Sequence, residues 1–152
     1  MRRFLRGFRY AWAGIVAAVR TERNFRFHLC AAAYVLWFSQ YYTFTSVEYA
    51  LLALCIGGVM ALELVNSAVE RAVDKPDVAH WRAAGSAKDM AAGAVLVFSA
   101  AAVVVGLCLF GDWNVLCRIM KLYTGNLPAA AALLLSAVLA VLFIRGRKPK
   151  DI

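Results

Sequence analysis

Charge is scarce in this chain. Only 17% of its 152 residues are Asp, Glu, Lys or Arg, where soluble domains carry roughly 25%. That poverty argues against a soluble enzyme and against a disordered, highly charged chain. Proline is scarce as well, at three residues, which argues against a linker-rich or fibrous protein. The four cysteines, Cys30, Cys55, Cys108 and Cys117, form no C-x-x-C pair. They read as small apolar filler rather than as a disulfide framework or a metal site. His28 and His80 are the only histidines, too few for a catalytic zinc site of the usual kind. Nucleotide-binding glycine motifs are missing too: Gly85-Ser86-Ala87-Lys88 lacks the G-x-x-x-x-G-K-[ST] spacing, and no G-x-G-x-x-G occurs.

What the chain has in abundance is apolar length, with 63% of its residues hydrophobic. A membrane-spanning helix needs about 20 mostly apolar residues. Four stretches meet or approach that: residues 27–47, 48–70, 89–110 and 127–144. Gly57, Gly58, Gly93, Gly106 and many alanines allow close helix approach. Ahead of the first span, Phe4, Leu5, Phe8, Trp12, Ile15, Val16 and Val19 recur at helical spacing between Arg2, Arg6, Arg9 and Arg20. This pattern predicts an amphipathic surface helix over about residues 3–22. A signal peptide fits poorly, because the apolar run 11–19 is short and charges follow at once. The fold class expected is all-α integral membrane, with a surface helix, three spans and a fourth C-terminal span. Residues 111–126 are expected to be a loop.

The formal net charge is +8. In a soluble protein that would suggest nucleic acid; here it reports membrane topology, and no nucleic-acid partner is expected. With a cytoplasmic N-terminus and four spans, fifteen Lys and Arg residues face the cytoplasm and two face outward. That asymmetry satisfies the positive-inside rule for a multi-pass protein of the bacterial cytoplasmic (inner) membrane. The basic residues of the tail 145–150 then act as a cytoplasmic stop.

The informative residues are ionisable ones where apolar ones belong. Glu63, Asn66 and Glu70 share one helix face at about 100° per residue, with Ser67 beside them. A bland reading makes this stripe a polar seam between helices. Glu22 follows the surface helix, where pairing with Arg26 at i, i+4 would be the bland reading. Lys88-Asp89 opens the third span, where a lysine is ordinarily a snorkelling anchor. Taken together, Glu22, Glu70 and Asp89 come to one membrane boundary, and Glu63 lies about 10 Å deeper by helical rise. Magnesium is held by one or two carboxylates plus substrate phosphates. Phosphoryl transfer needs that metal, a cation on the phosphates and a base for the attacking hydroxyl. Glu22 and Glu70 suit the metal, Lys88 the phosphates and Glu63 the base.

Three blocks carry a resemblance. They are Thr21-Glu22-Arg23-Asn24-Phe25-Arg26-Phe27-His28, then Glu63-Leu64-Val65-Asn66-Ser67-Ala68-Val69-Glu70 with Asp74, then Ala87-Lys88-Asp89-Met90-Ala91-Ala92-Gly93-Ala94-Val95. In this order and spacing the chain resembles the prokaryotic diacylglycerol kinase and undecaprenol kinase family over about residues 3–110. The resemblance implies a small membrane kinase domain over residues 1–110, a homotrimer with sites shared between subunits. Such an enzyme moves the γ-phosphoryl of Mg-ATP to a lipid hydroxyl. It implies Glu63 as general base and Glu22 and Glu70 as Mg2+ ligands with ATP. Asn66, Lys88 and Asp89 complete the site. Arg3 and Tyr10 fall where the family contacts nucleotide or lipid, and residues 79–81 where it touches the nucleotide. Ala92 joins Arg3 and Glu63 on the lipid side. His28 and Ala92 are similar to the undecaprenol branch, which implies undecaprenol as acceptor; diacylglycerol is the alternative. The family usually stops near residue 110, so residues 111–152 are an extension to which no chemistry is assigned.

Two readings of another class compete. A proton-coupled transporter would use Glu63 as its carrier, but leaves Glu22, Glu70 and Lys88-Asp89 unexplained. A membrane scaffold with a polar seam would tolerate replacement of Glu22 and Glu70.

Overall fold

The computed structural model describes residues 2–74 and 82–146, and the side chains of residues 6–74 and 84–146. Every regular element among them is helical: α1 Arg2–Thr21, α2 Arg23–Ser39, α3 Ser46–Val73, α4 Arg82–Phe110, α5 Trp113–Gly125 and α6 Leu127–Arg145. Three helices are long and apolar enough to cross a membrane: Ser46–Val73, Ala84–Phe110 and Leu127–Arg145. α2 is a further apolar helix of 17 residues, about 26 Å long. The chain is therefore an all-α integral membrane protein.

The surface helix forms as its spacing predicts. Phe8, Trp12 and Ile15 on α1 remain exposed within the chain, whereas Ala18 is buried. An apolar stripe left uncovered beside arginines is the mark of a helix lying in the bilayer interface. α1 and α2 are separate because Glu22 takes an extended backbone, φ −95° and ψ 116°, with no side-chain cap.

Two boundaries differ from expectation. The first span was expected to run to residue 47, but α2 ends at Ser39. The cause lies downstream, where Thr45 accepts from the Glu48 amide and the Glu48 side chain accepts from the Thr45 amide. This capping box claims residues 45–48 for α3. The second difference is α5, which occupies the expected loop. Asp112 caps it by accepting from the amides of Asn114 (2.8 Å) and Val115 (3.3 Å), and Val115 is buried. Asn126 then ends α5 and caps α6, taking the Ala129 amide at 3.1 Å.

α3 and α4 pack along their lengths, and α2 lies against α3 on one side and α6 on the other. Gly58 permits the α3–α4 approach: a Cβ there would lie 2.3 Å from the Phe98 ring. At the end away from α1, rings join the elements. Tyr42 and Phe44 meet Phe110 with centroids 5.0 and 5.3 Å apart. Tyr41 and Tyr123 share a hydroxyl hydrogen bond of 3.0 Å. The Tyr42 hydroxyl donates to the Phe110 carbonyl at 3.0 Å, and burial pushes its phenol above the ordinary range.

Burial here is inverted relative to a soluble domain. Large apolar side chains such as Leu54, Val97, Val103 and Leu107 are exposed, while Arg26, Ser39, Glu63, Asn66 and Ser67 are buried. Lipid solvates the outside, so polar groups retreat between helices.

Candidate active site at the α1 end of the bundle

Three segments converge at one end of α3. The α1–α2 break supplies Glu22 and, one residue beyond Arg23, Asn24. The last three turns of α3 supply Glu63, Asn66, Ser67, Glu70, Arg71 and the C-cap Asp74. The first turns of α4 supply Lys88 and Asp89.

Glu63 is the deepest of these groups, 3% exposed. Asn24, Glu70 and Glu22 all act on its carboxyl electrostatically. One turn along α3, Asn66 Nδ2 donates to Glu70 Oε1 at 2.9 Å. Asn66 Oδ1 is buried without a hydrogen-bond partner. Glu22 Oε1 accepts from Arg71 Nη2 at 2.6 Å and from Nε at 3.2 Å. Thr21 Oγ1 donates to the same oxygen at 3.1 Å and itself accepts from Arg71. Lys88 Nζ sits on Asp74, 2.9 and 3.0 Å from the two carboxylate oxygens, and feels Glu70 and Asp89 as well.

Glu22, Glu63, Asn66, Glu70, Lys88 and Asp89 are thus brought together. Glu22 pairs with Arg71 rather than with Arg26, which corrects the i, i+4 reading: the extended residue breaks the helix on which that spacing depends. Tyr10 and Ala92 are exposed on α1 and α4 and take no part in the cluster's hydrogen bonds; Tyr10 lies under the Arg9 guanidinium at 5.8 Å. Arg3 stands at the N-terminal end of α1. Residues 79–81 and 147–150 lie outside the described residues. Sequence spacing did not reveal Asn24 or Arg71 as neighbours of the carboxylates. Their only signal was position, beside Glu22 and Glu70.

The donor set suits a hard cation. Hydrogen bonds engage Oε1 of Glu22 and of Glu70, so each carboxylate has an oxygen to offer. Among the described residues no group of three or more His, Cys, Asp or Glu side chains is placed to hold a metal ion by itself.

Fold and site together define a membrane enzyme whose polar chemistry sits at one bilayer boundary. Comparison with known proteins gives the class its name. A model of the family "prokaryotic diacylglycerol kinase" matches residues 9–110. The chain is 42% identical over 110 residues to the undecaprenol kinase of Bacillus subtilis, covering 72% of this chain and 89% of that one. It is 45% identical over 103 residues to the diacylglycerol kinase of Synechocystis sp., covering 67% of this chain and 59% of that one. Against the diacylglycerol kinase of Escherichia coli K12 it is 30% identical over 102 residues, covering 67% and 84%. The chain belongs to the prokaryotic diacylglycerol kinase family and is an ATP-dependent lipid kinase of the bacterial membrane. The readings of the chain as a transporter or a scaffold fall with that membership.

Proposed function

We propose that this kinase phosphorylates undecaprenol, with Glu63 as the general base. The observation that carries the base assignment is the placement of Glu63. Among the described residues it is the one buried carboxyl, one turn along α3 from Met60, which lines an apolar groove of about 390 Å³ between α2, α3 and α4. Phe27, His28 and Met60 line one end of that groove and Phe110 the other. Along α4 its lining from Ser99 to Phe110 spans about 16 Å. A single slot of this length suits one linear isoprenoid chain, whose terminal hydroxyl would meet Glu63. His28 and Ala92 support the same acceptor, as does the 42% identity along most of the Bacillus subtilis undecaprenol kinase.

In this reading Glu63 takes the proton of the lipid hydroxyl. The lipid oxygen attacks the γ-phosphorus as the bond to the bridging β,γ-oxygen breaks, leaving ADP and the lipid phosphate. Lys88 turns from Asp74 to the phosphates as a point charge. Glu22 and Glu70 would hold Mg2+, which would supply charge neutralisation at the phosphate oxygens. Arg3, Tyr10 and Asp89 border the nucleotide. We place the N-terminus in the cytoplasm on the positive-inside count. We assign a homotrimer, as the family resemblance implies.

A radiolabelled ATP assay with undecaprenol and diacylglycerol side by side tests the acceptor. Preferential labelling of undecaprenol is expected. Equal labelling, or preference for diacylglycerol, overturns the acceptor. Diacylglycerol is the second reading, favoured by the 45% identity to the Synechocystis diacylglycerol kinase.

A further inference from the structure

The extension beyond residue 110 is tied to the site by one buried side chain. Arg26 stands in the first turn of α2, two residues from Asn24 and four from Glu22, and is 8% exposed. Among the described residues no carboxylate pairs with it. Its Nη1 donates instead to the carbonyls of Val19 (3.4 Å) and Arg20 (3.1 Å) in the last turn of α1. Its Nη2 donates to the carbonyl of Ile144 at 3.2 Å, in the last turn of α6. These are carbonyls that helix ends leave without intrahelical partners, at the negative poles of two helix dipoles. One cation therefore closes two helix C-termini at once.

Gly146 makes the joint possible. Its φ is +52°, where a side chain is strained. A Cβ there would also lie 2.7 Å from Arg26 Cζ and from Nη2. Further along, α6 meets α2 through small residues and one Tyr34–Ser136 hydroxyl hydrogen bond of 3.0 Å. Besides Arg26, the α1–α2 break is held by the buried Phe25 and by Arg71, which donates to Glu22 and Thr21. Glu22 is extended and makes no cap, and the Arg71 side chain that grips it is half exposed, where an ion pair contributes little.

We propose that the extension is a working part of the kinase: through Arg26, α6 holds the α1–α2 break in the conformation that presents Glu22 and Asn24 to α3. Arg26 is a positioning residue, and the C-terminal helix tunes the affinity for Mg-ATP. The kinetic half of this inference rests on the nucleotide-side role proposed for Glu22.

The test uses the full chain in bilayer nanodiscs. Gly146→Ala wedges the joint without replacing an ionisable group. It is expected to raise KM for Mg-ATP about tenfold, the scale of one charge-assisted hydrogen bond, with kcat within about twofold. Trypsin cleavage after Arg20 or Arg23 reads the break directly and is expected to quicken. Arg26→Lys, which keeps a donor cation, should lie between the parent and Arg26→Gln in both readouts. Ser136→Ala, at mid-membrane on the same helix pair, should leave both unchanged. Gly146→Ala with parental tryptic protection overturns the joint, whatever the kinetics. Quickened cleavage with parental KM overturns the coupling, provided Glu22→Gln itself raises KM. If Glu22→Gln leaves KM at the parental value, the metal assignment falls instead, and tryptic protection alone decides the joint.

Discussion

At the α1 end of the bundle, α3 closes on Glu63, Asn66, Glu70, Arg71 and Asp74. At the opposite end, α2, α4 and α5 close on Tyr41, Tyr42, Phe44, Phe110 and Tyr123. Both ends face the same problem, that of leaving an apolar bilayer for water. The ring end solves it with amphipathic side chains that have an apolar body and a polar tip, as at membrane interfaces generally. The carboxylate end uses groups that cost free energy to bury and that must be paired to stay there. Stability alone would have made both ends aromatic. The difference shows where chemistry, rather than anchoring, has shaped the chain.

Three substitutions sharpen that comparison. The largest effect is expected from Glu63→Gln. It removes a base while keeping shape and should lower kcat by about 10²–10⁴, the usual contribution of a positioned general base. Circular dichroism and thermal unfolding in the same nanodiscs should match the parent, and full turnover would refute the assignment. Next is Lys88→Met, which keeps the apolar stem and removes the charge. KM for Mg-ATP should rise about tenfold or more, while thermal unfolding barely moves, because the Lys88–Asp74 pair is largely exposed. A drop in stability with unchanged KM would mark Lys88 as an anchor only. The smallest effect belongs to the ring end. Tyr42→Phe removes the hydrogen bond to the Phe110 carbonyl and should cost about 1 kcal/mol of stability, with kcat and KM unaltered. Altered kinetics there would blur the division between the ends.

Much of this arrangement is legible in the sequence, and the illegible parts share a cause. Apolar length locates α3, α4 and α6, and arginines at helical spacing locate α1. The 100° rule places Glu63, Asn66 and Glu70 on one face because all three lie within one unbroken helix. Arg26 defeats the corresponding rule, because the chain changes direction at Glu22 between the two residues. α5 escapes a search for spans because it has 13 residues and carries Arg118 and Lys121. Its signal is local: Asp112 as cap, then Val115, Leu116 and Ile119 at helical spacing. The end of α2 was likewise written in Thr45 and Glu48, a capping box inside an apolar run. Asn24, Arg71 and Asp74 find their partners only through tertiary contact, which no spacing encodes.

The contact of Gly58 with Phe98 can be read as the fulcrum of a pair of levers. From it, α3 runs twelve residues to Glu70 and α4 runs ten residues back to Lys88, about 18 Å and 15 Å at the helical rise. The two arms are nearly equal, so the carboxylate and the ammonium arrive at almost the same height. A methyl group inserted at the fulcrum would splay the arms and open the gap furthest at their tips. The kinase is calibrated, in this sense, from the middle of the membrane, far from any atom that reacts.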